Sequence, residues 1–231
     1  MFRVPQPAVV IQAADLPWLY RMDYTPPPIP STAGLDAVIA AALSPFVSRP
    51  GVAAPTRLTS LVISAHGQAG QIGLGREHIH AGNVRAFADA IANRFKSIFI
   101  LSCNVARIQA TEVPYFNHPR WGPGAQPVRM RFLPGDGHHF CSLLAQRAHA
   151  DVHASTEPQA HGQNRLVFPE GWVDDYEGLY LVYGVSGRLI HQRRRPGFDD
   201  VASQNREFEG WSVRSHRNPQ LPSDFHVLQG N

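Results

Sequence analysis

Two apolar segments in the middle of the chain have the pattern of buried strands, and an amphipathic helical pattern separates them. LTSLVISAHG (58–67) and SIFILSCNVA (97–106) are β-branched and apolar, as expected of strands buried on both faces. Between them, GNVRAFADAIANRF (82–95) places its apolar residues on one stripe of a helix. A strand, a helix and a strand in this order predict a parallel pair joined by a right-handed crossover.

Further elements are predicted on both sides of this unit. They are a buried strand at 8–12, a helix at 34–43, a turn or short hairpin at 68–75, a helix at 138–150, a strand at 151–156 and a hairpin at 178–193. The proline-rich segment 25–30 predicts a linker, and the aperiodic segment 111–135 predicts an insertion. We therefore expect a three-layer α/β fold with a mainly parallel central sheet over 1–156. A β-rich C-terminal extension over 157–231 is expected to pack on the same domain.

Composition narrows the function classes. The chain has 231 residues, and its 21 Lys and Arg against 18 Asp and Glu give a net charge of +3. This mild excess is local and does not predict a nucleic-acid partner. With two cysteines, no signal-peptide pattern and no apolar run of about 18 residues, we expect a protein made in the cytoplasm, with no membrane span. Export by a route that reads no N-terminal signal is left open, as is the oligomeric state.

The candidate chemistry lies where the two central strands end. His66 and Gly67 close the first strand and Cys103 closes the second. Because the carboxyl ends of parallel strands share one edge of a sheet, both side chains should face the same crevice. Gly67 has no side chain to obstruct a ligand that approaches closely. A neighbouring imidazolium stabilises a thiolate, which is the nucleophilic form of cysteine. The alternative is that Cys103 is an inert core thiol and His66 a hydrogen-bonded strand-end histidine.

The succession LVISAHGQAGQIGLG, an amphipathic helix, IFILSCNVA, a helix and DVHAST resembles the caspase-like (clan CD) cysteine peptidases. This group includes caspases, gingipains, separase, CHAT domains and self-processing bacterial toxin domains. The resemblance covers about residues 58–156 and implies a caspase-like fold with a His66/Cys103 dyad. It also implies that the backbone N–H groups of Gly67 and Cys103 stabilise the oxyanion. The long, proline-rich segment after Cys103 departs from the family pattern.

These observations predict a cysteine endopeptidase that forms an acyl-enzyme on Cys103, with His66 as general acid and base and a protein or peptide as substrate. Resemblance alone suggests a bacterial effector, toxin or defence protease. The acidic residues that could bind a basic substrate side chain are Asp151, Glu157, Asp174 and Asp175.

Two other functions are left open. One is an inactive caspase-like scaffold that binds a partner protein. The other is a metal-dependent hydrolase that uses the histidine pairs 78/80, 138/139 and 149/153. We predict no metal and no cofactor, because the histidine pairs lack an HExxH glutamate and the glycines lack a GxGxxG pattern before a helix. Cys141 is predicted to be a core residue, and 184–187 is predicted to be a turn.

Overall fold

The computed structural model describes residues 1–16, 19–48, 50–51, 53–109, 134–157, 168–176 and 178–195, without the side chains of 194 and 195. The helices are α1 (Leu35–Leu43), α2 (Val84–Ala90) and α3 (Gly137–Ala148), and a 3-10 turn (Ser44–Phe46) follows α1. The strands are β1 (Phe2–Arg3), β2 (Ala8–Gln12), β3 (Leu58–Ser64), β4 (His66–Gln68), β5 (Gln71–Gly73), β6 (Ile79–His80), β7 (Phe95–Leu101), β8 (Ile108–Gln109), β9 (Gly135–Asp136), β10 (Asp151–Ser155), β11 (Trp172–Val173), β12 (Gly178–Tyr183) and β13 (Leu189–Arg195).

A six-stranded mixed sheet forms the centre of the fold. Its strand order is β13-β12-β10-β7-β3-β2. Strands β2, β3, β7 and β10 run parallel, whereas β12 is antiparallel to β10 and β13 is antiparallel to β12. The predicted α/β class is therefore confirmed, and the predicted parallel unit is present as β3-α2-β7.

The described helices cover one face of this sheet. Strands β2, β3, β7 and β10 follow one another across the sheet without a reversal, so right-handed crossovers place every connecting helix on the same side. Val38 of α1, Phe87 of α2 and Leu144 of α3 accordingly belong to one core cluster. The opposite face is covered by a separate cluster of aromatic and aliphatic residues outside the helices. The second helical layer that the three-layer prediction requires is not found among the described residues.

Element ends differ from the predicted ones where the chain turns back into the sheet. Helix α2 ends at Ala90, five residues before the predicted end. Asn93 has a left-handed backbone (φ 62°), and the buried Phe95 begins β7 by pairing with Leu58. The predicted helical stripe extended to Phe95 because the first residue of a buried strand is apolar, as is a residue on the buried face of a helix.

The predicted C-terminal hairpin adds to the central sheet. Strand β12 pairs with β10, and β13 pairs with β12 and forms the edge. The connecting turn is closed by the Gly187 N–H, which donates to the Gly184 carbonyl at 2.7 Å, so the predicted turn at 184–187 is confirmed. Most of the predicted insertion and the chain beyond 195 lie outside the described residues. Within the described residues, no helix has the length and apolar character needed to cross a membrane.

Candidate active site

His66 and Cys103 follow neighbouring strands at the same level of the sheet. The parallel register pairs Ser64 of β3 with Leu101 of β7. His66 and Cys103 each lie two residues beyond this pair, so both leave the sheet at the same edge. The first is exposed and the second half-buried. This is the placement expected from the strand ends.

The hairpin that carries His66 packs directly on the turn that carries Cys103. Strands β4 and β5 form the hairpin, and Gln68 pairs with Gln71 across its turn. A Cβ added to Gly67 would lie 2.7 Å from the Cys103 carbonyl oxygen and 2.8 Å from the Ser102 Cβ. At the tip, the Gly70 N–H donates to the Val105 carbonyl at 3.1 Å. Glycine at 67 is therefore required for this close approach of the two segments.

Backbone hydrogen bonds also join the Cys103 turn to the end of β10 and the residues just after it. The Asn104 N–H donates to the Glu157 carbonyl, and the Ala106 N–H donates to the Ser155 carbonyl, both at 3.0 Å. Asn104 has a left-handed backbone with φ 58°, which asparagine tolerates better than most residues. The thiol is thus presented by a turn with backbone contacts on both sides, to the β4–β5 hairpin and to β10.

Polar and charged side chains are buried beneath the Cys103 turn. Ser102 and Asn104 are fully buried, and Arg107 and Glu157 are each only 2% exposed. Arg107 Nη1 donates to Asn104 Oδ1 at 3.5 Å. Burying charged groups is costly unless they are paired or hydrogen-bonded, so they are rarely placed in a core without a structural or functional role.

A carboxylate lies on the other side of His66. Asp15 Oδ2 is 3.5 Å from His66 Nε2, and both side chains are more than half exposed. Asp15 follows β2, the neighbour of β3 on the side away from β7. Sequence reasoning missed this residue. The strand-end argument that selected His66 and Cys103, applied to the predicted strand 8–12, would have pointed to it.

Of the four acidic residues considered for a substrate pocket, the structure brings one to the site. Asp151 begins β10 opposite Ser97, at the far end of the strand from Cys103. Asp174 lies beside Tyr20 on the face of the sheet opposite the described helices, where burial and the Asp174 charge raise the pKa of the tyrosine. The exposed Asp175 follows Asp174 directly in the chain. Glu157 alone adjoins the Cys103 turn, through its backbone carbonyl.

The three histidine pairs lie at different places in the fold: 78/80 at β6, 138/139 at the start of α3, and 149/153 at and after its end. No group of three or more potential metal ligands occurs among the described residues. His149 ends α3 in a left-handed conformation, and His153 stacks on Phe99 within the sheet. Cys141 is fully buried in the helical core, as predicted, and burial raises the pKa of its thiol. Neither cysteine forms a disulfide.

The chain was also compared with known protein families, curated proteins and solved structures. No family model, curated protein or solved structure matches the chain. The resemblance to caspase-like peptidases therefore depends on the residues and strand context described above.

Proposed function

We propose that this protein is a cysteine endopeptidase of caspase-like type, with Cys103 as nucleophile and His66 as general acid and base. One observation carries the proposal. The two residues follow adjacent parallel strands in register, and the backbone of Gly67 packs against the carbonyl of Cys103. A thiol and an imidazole in such a position have the components of an activated nucleophile. The partial exposure of both residues would let a polypeptide substrate reach them.

The proposed reaction proceeds through a thioester. His66 takes the thiol proton, and the Cys103 sulfur attacks the carbonyl carbon of the scissile peptide bond. The N–H groups of Gly67 and Cys103 would stabilise the resulting oxyanion. Collapse breaks the C–N bond while His66 protonates the leaving amine. Water, deprotonated by His66, then hydrolyses the thioester to release the carboxylate and restore the thiol.

The test measures the rate of Cys103 alkylation by iodoacetamide between pH 5.5 and 9, with the modified residue located by peptide mass mapping. We compare wild type with His66→Ala and, as a matched control, with His139→Ala. His139 is exposed at the start of α3 and participates in its cap only through the backbone N–H. We expect fast alkylation below pH 7 in wild type and the control, and its loss in His66→Ala.

Cleavage of a peptide library by wild type, and none by Cys103→Ala, would then identify the activity as proteolysis. A wild-type Cys103 that titrates like an ordinary thiol, near pH 8.5, would contradict the proposal. So would a His66→Ala rate equal to that of wild type. In either case the inactive scaffold becomes the better interpretation of the fold.

A further inference from the structure

Asp15 is held next to His66 by a tight turn at the end of β2. The Ala13 N–H donates to the Ser64 carbonyl at 2.9 Å, two residues before His66. The Ala14 N–H donates to the Ile29 carbonyl, also at 2.9 Å, and the buried Leu16 anchors the far side of the turn. The carboxylate therefore projects from a segment that is hydrogen-bonded to the last residue of β3, two positions before the histidine.

Three adjacent strands present three chemically different groups at one edge of the sheet. The strand order β7-β3-β2 places the thiol of Cys103 on one side of His66 and the carboxylate of Asp15 on the other. Asp15 Oδ2 and His66 Nε2 are 3.5 Å apart. A nucleophile, an imidazole and a carboxylate in this spatial order can act as a unit, in which the carboxylate orients the base.

We propose that Asp15 is a positioning residue that fixes the tautomer and orientation of His66 for its reaction with Cys103. This inference rests on the proposed function, because it assigns a role within the same site. A carboxylate next to Nε2 favours the tautomer that carries its proton on Nε2, which leaves Nδ1 as the basic nitrogen. Once His66 has accepted the thiol proton, the same carboxylate stabilises the imidazolium.

The exposure of the pair sets the size of the expected effect. The side chains of Asp15 and His66 are 63% and 59% exposed, so solvent screens their attraction. Exposed ion pairs contribute little free energy, so we expect removal of the Asp15 carboxylate to lower the alkylation rate at pH 6.5 by about two- to fivefold. Removal of Asp15 should therefore weaken the site without abolishing it.

The experiment compares Asp15→Asn with Asp36→Asn in the full chain. Asp36 is exposed in the first turn of α1, so the control removes the same charge at a similarly accessible position away from the strand ends. The tautomer of His66 is measured by nitrogen-15 NMR of histidine-labelled protein, with the resonance assigned by its loss in His66→Gln. We expect Asp15→Asn, and not Asp36→Asn, to reduce the Nε2–H population and to slow alkylation.

The outcomes separate this inference from the proposed function. If alkylation depends on His66 but both aspartate variants behave like wild type, the role of Asp15 is refuted and the dyad stands. A changed tautomer ratio with an unchanged rate also overturns the role in positioning for chemistry. If alkylation does not depend on His66, the proposed function fails, and the tautomer comparison alone decides whether Asp15 orients the ring.

Discussion

Replacement of Gly67 by alanine would test whether the contact between the His66 hairpin and the Cys103 turn builds the site. The added Cβ would lie 2.7 Å from the Cys103 carbonyl oxygen and 2.8 Å from the Ser102 Cβ. Ordinary contacts of a Cβ begin at 3.4 Å. The two segments must therefore separate by about 0.7 Å, the difference between 3.4 and 2.7 Å. Both sides are fixed by backbone hydrogen bonds, so neither can yield by a side-chain rotation.

The expected cost follows from this overlap. Overpacking of a fitted contact destabilises a protein by about 1–3 kcal/mol, which would lower the urea midpoint by about 0.3–1 M if the m-value is about 3 kcal/mol/M. The same displacement moves His66 away from Cys103, so alkylation at pH 6.5 should fall towards the rate of His66→Ala. Both quantities are measured on one preparation, by urea unfolding followed by circular dichroism and by timed alkylation with mass mapping.

Gly34→Ala is the matched control. A Cβ there would meet nothing closer than the Glu77 carboxylate at 3.8 Å, and its cost as an N-cap change should stay below about 1 kcal/mol. We expect it to leave the Cys103 alkylation rate unchanged. If Gly67→Ala matches the control in both urea midpoint and alkylation rate, the close approach does not determine the geometry of the site and our reasoning is wrong.

Three further predictions concern groups around the site. Burial and the nearby His191 lower the pKa of His153 from 6.5 to about 4. Because the unfolded chain binds the proton at a higher pH than the folded chain, the unfolding free energy should fall by up to about 3 kcal/mol as the pH drops from 6.5 to 4. An equally steep dependence of unfolding free energy on pH in His153→Gln would refute this. The Asp136 carboxylate accepts a hydrogen bond from the His139 N–H at 2.8 Å at the start of α3, so Asp136→Ala should lower the unfolding free energy by about 1 kcal/mol, and Asp136→Asn by less, in urea melts. Cys141 should resist alkylation in the native protein and react only on unfolding, so its labelling in native wild type at the rate of Cys103 would contradict the buried core.

Local pattern was sufficient for the elements that carry the proposed dyad. The short, β-branched runs before His66 and Cys103 favour buried strands, and the amphipathic segment between them predicts a parallel crossover. These features are properties of consecutive residues, so a single sequence contains them. The end of α2 could not be located in this way, because Ile91 and Phe95 are buried whether they extend a helix or begin a strand.

The tertiary structure decided which residues surround the dyad. Asp15 lies 51 positions before His66, and only the pairing of β2 with β3 brings the two together. The carbonyl of Glu157 holds the Cys103 turn only because β10 pairs with β7 on the other side.

The sequence by itself determined the strand ends and the residue types placed on them, since these depend on local propensity and burial pattern. Strand order, register and the placement of the described helices on one face of the sheet depended on contacts between distant segments. Those contacts select Asp15 and Glu157 as neighbours of the site, and they place Asp151 at the opposite end of the sheet. No local pattern contains this information, because each of these carboxylates is, in sequence, an ordinary polar residue beside a strand.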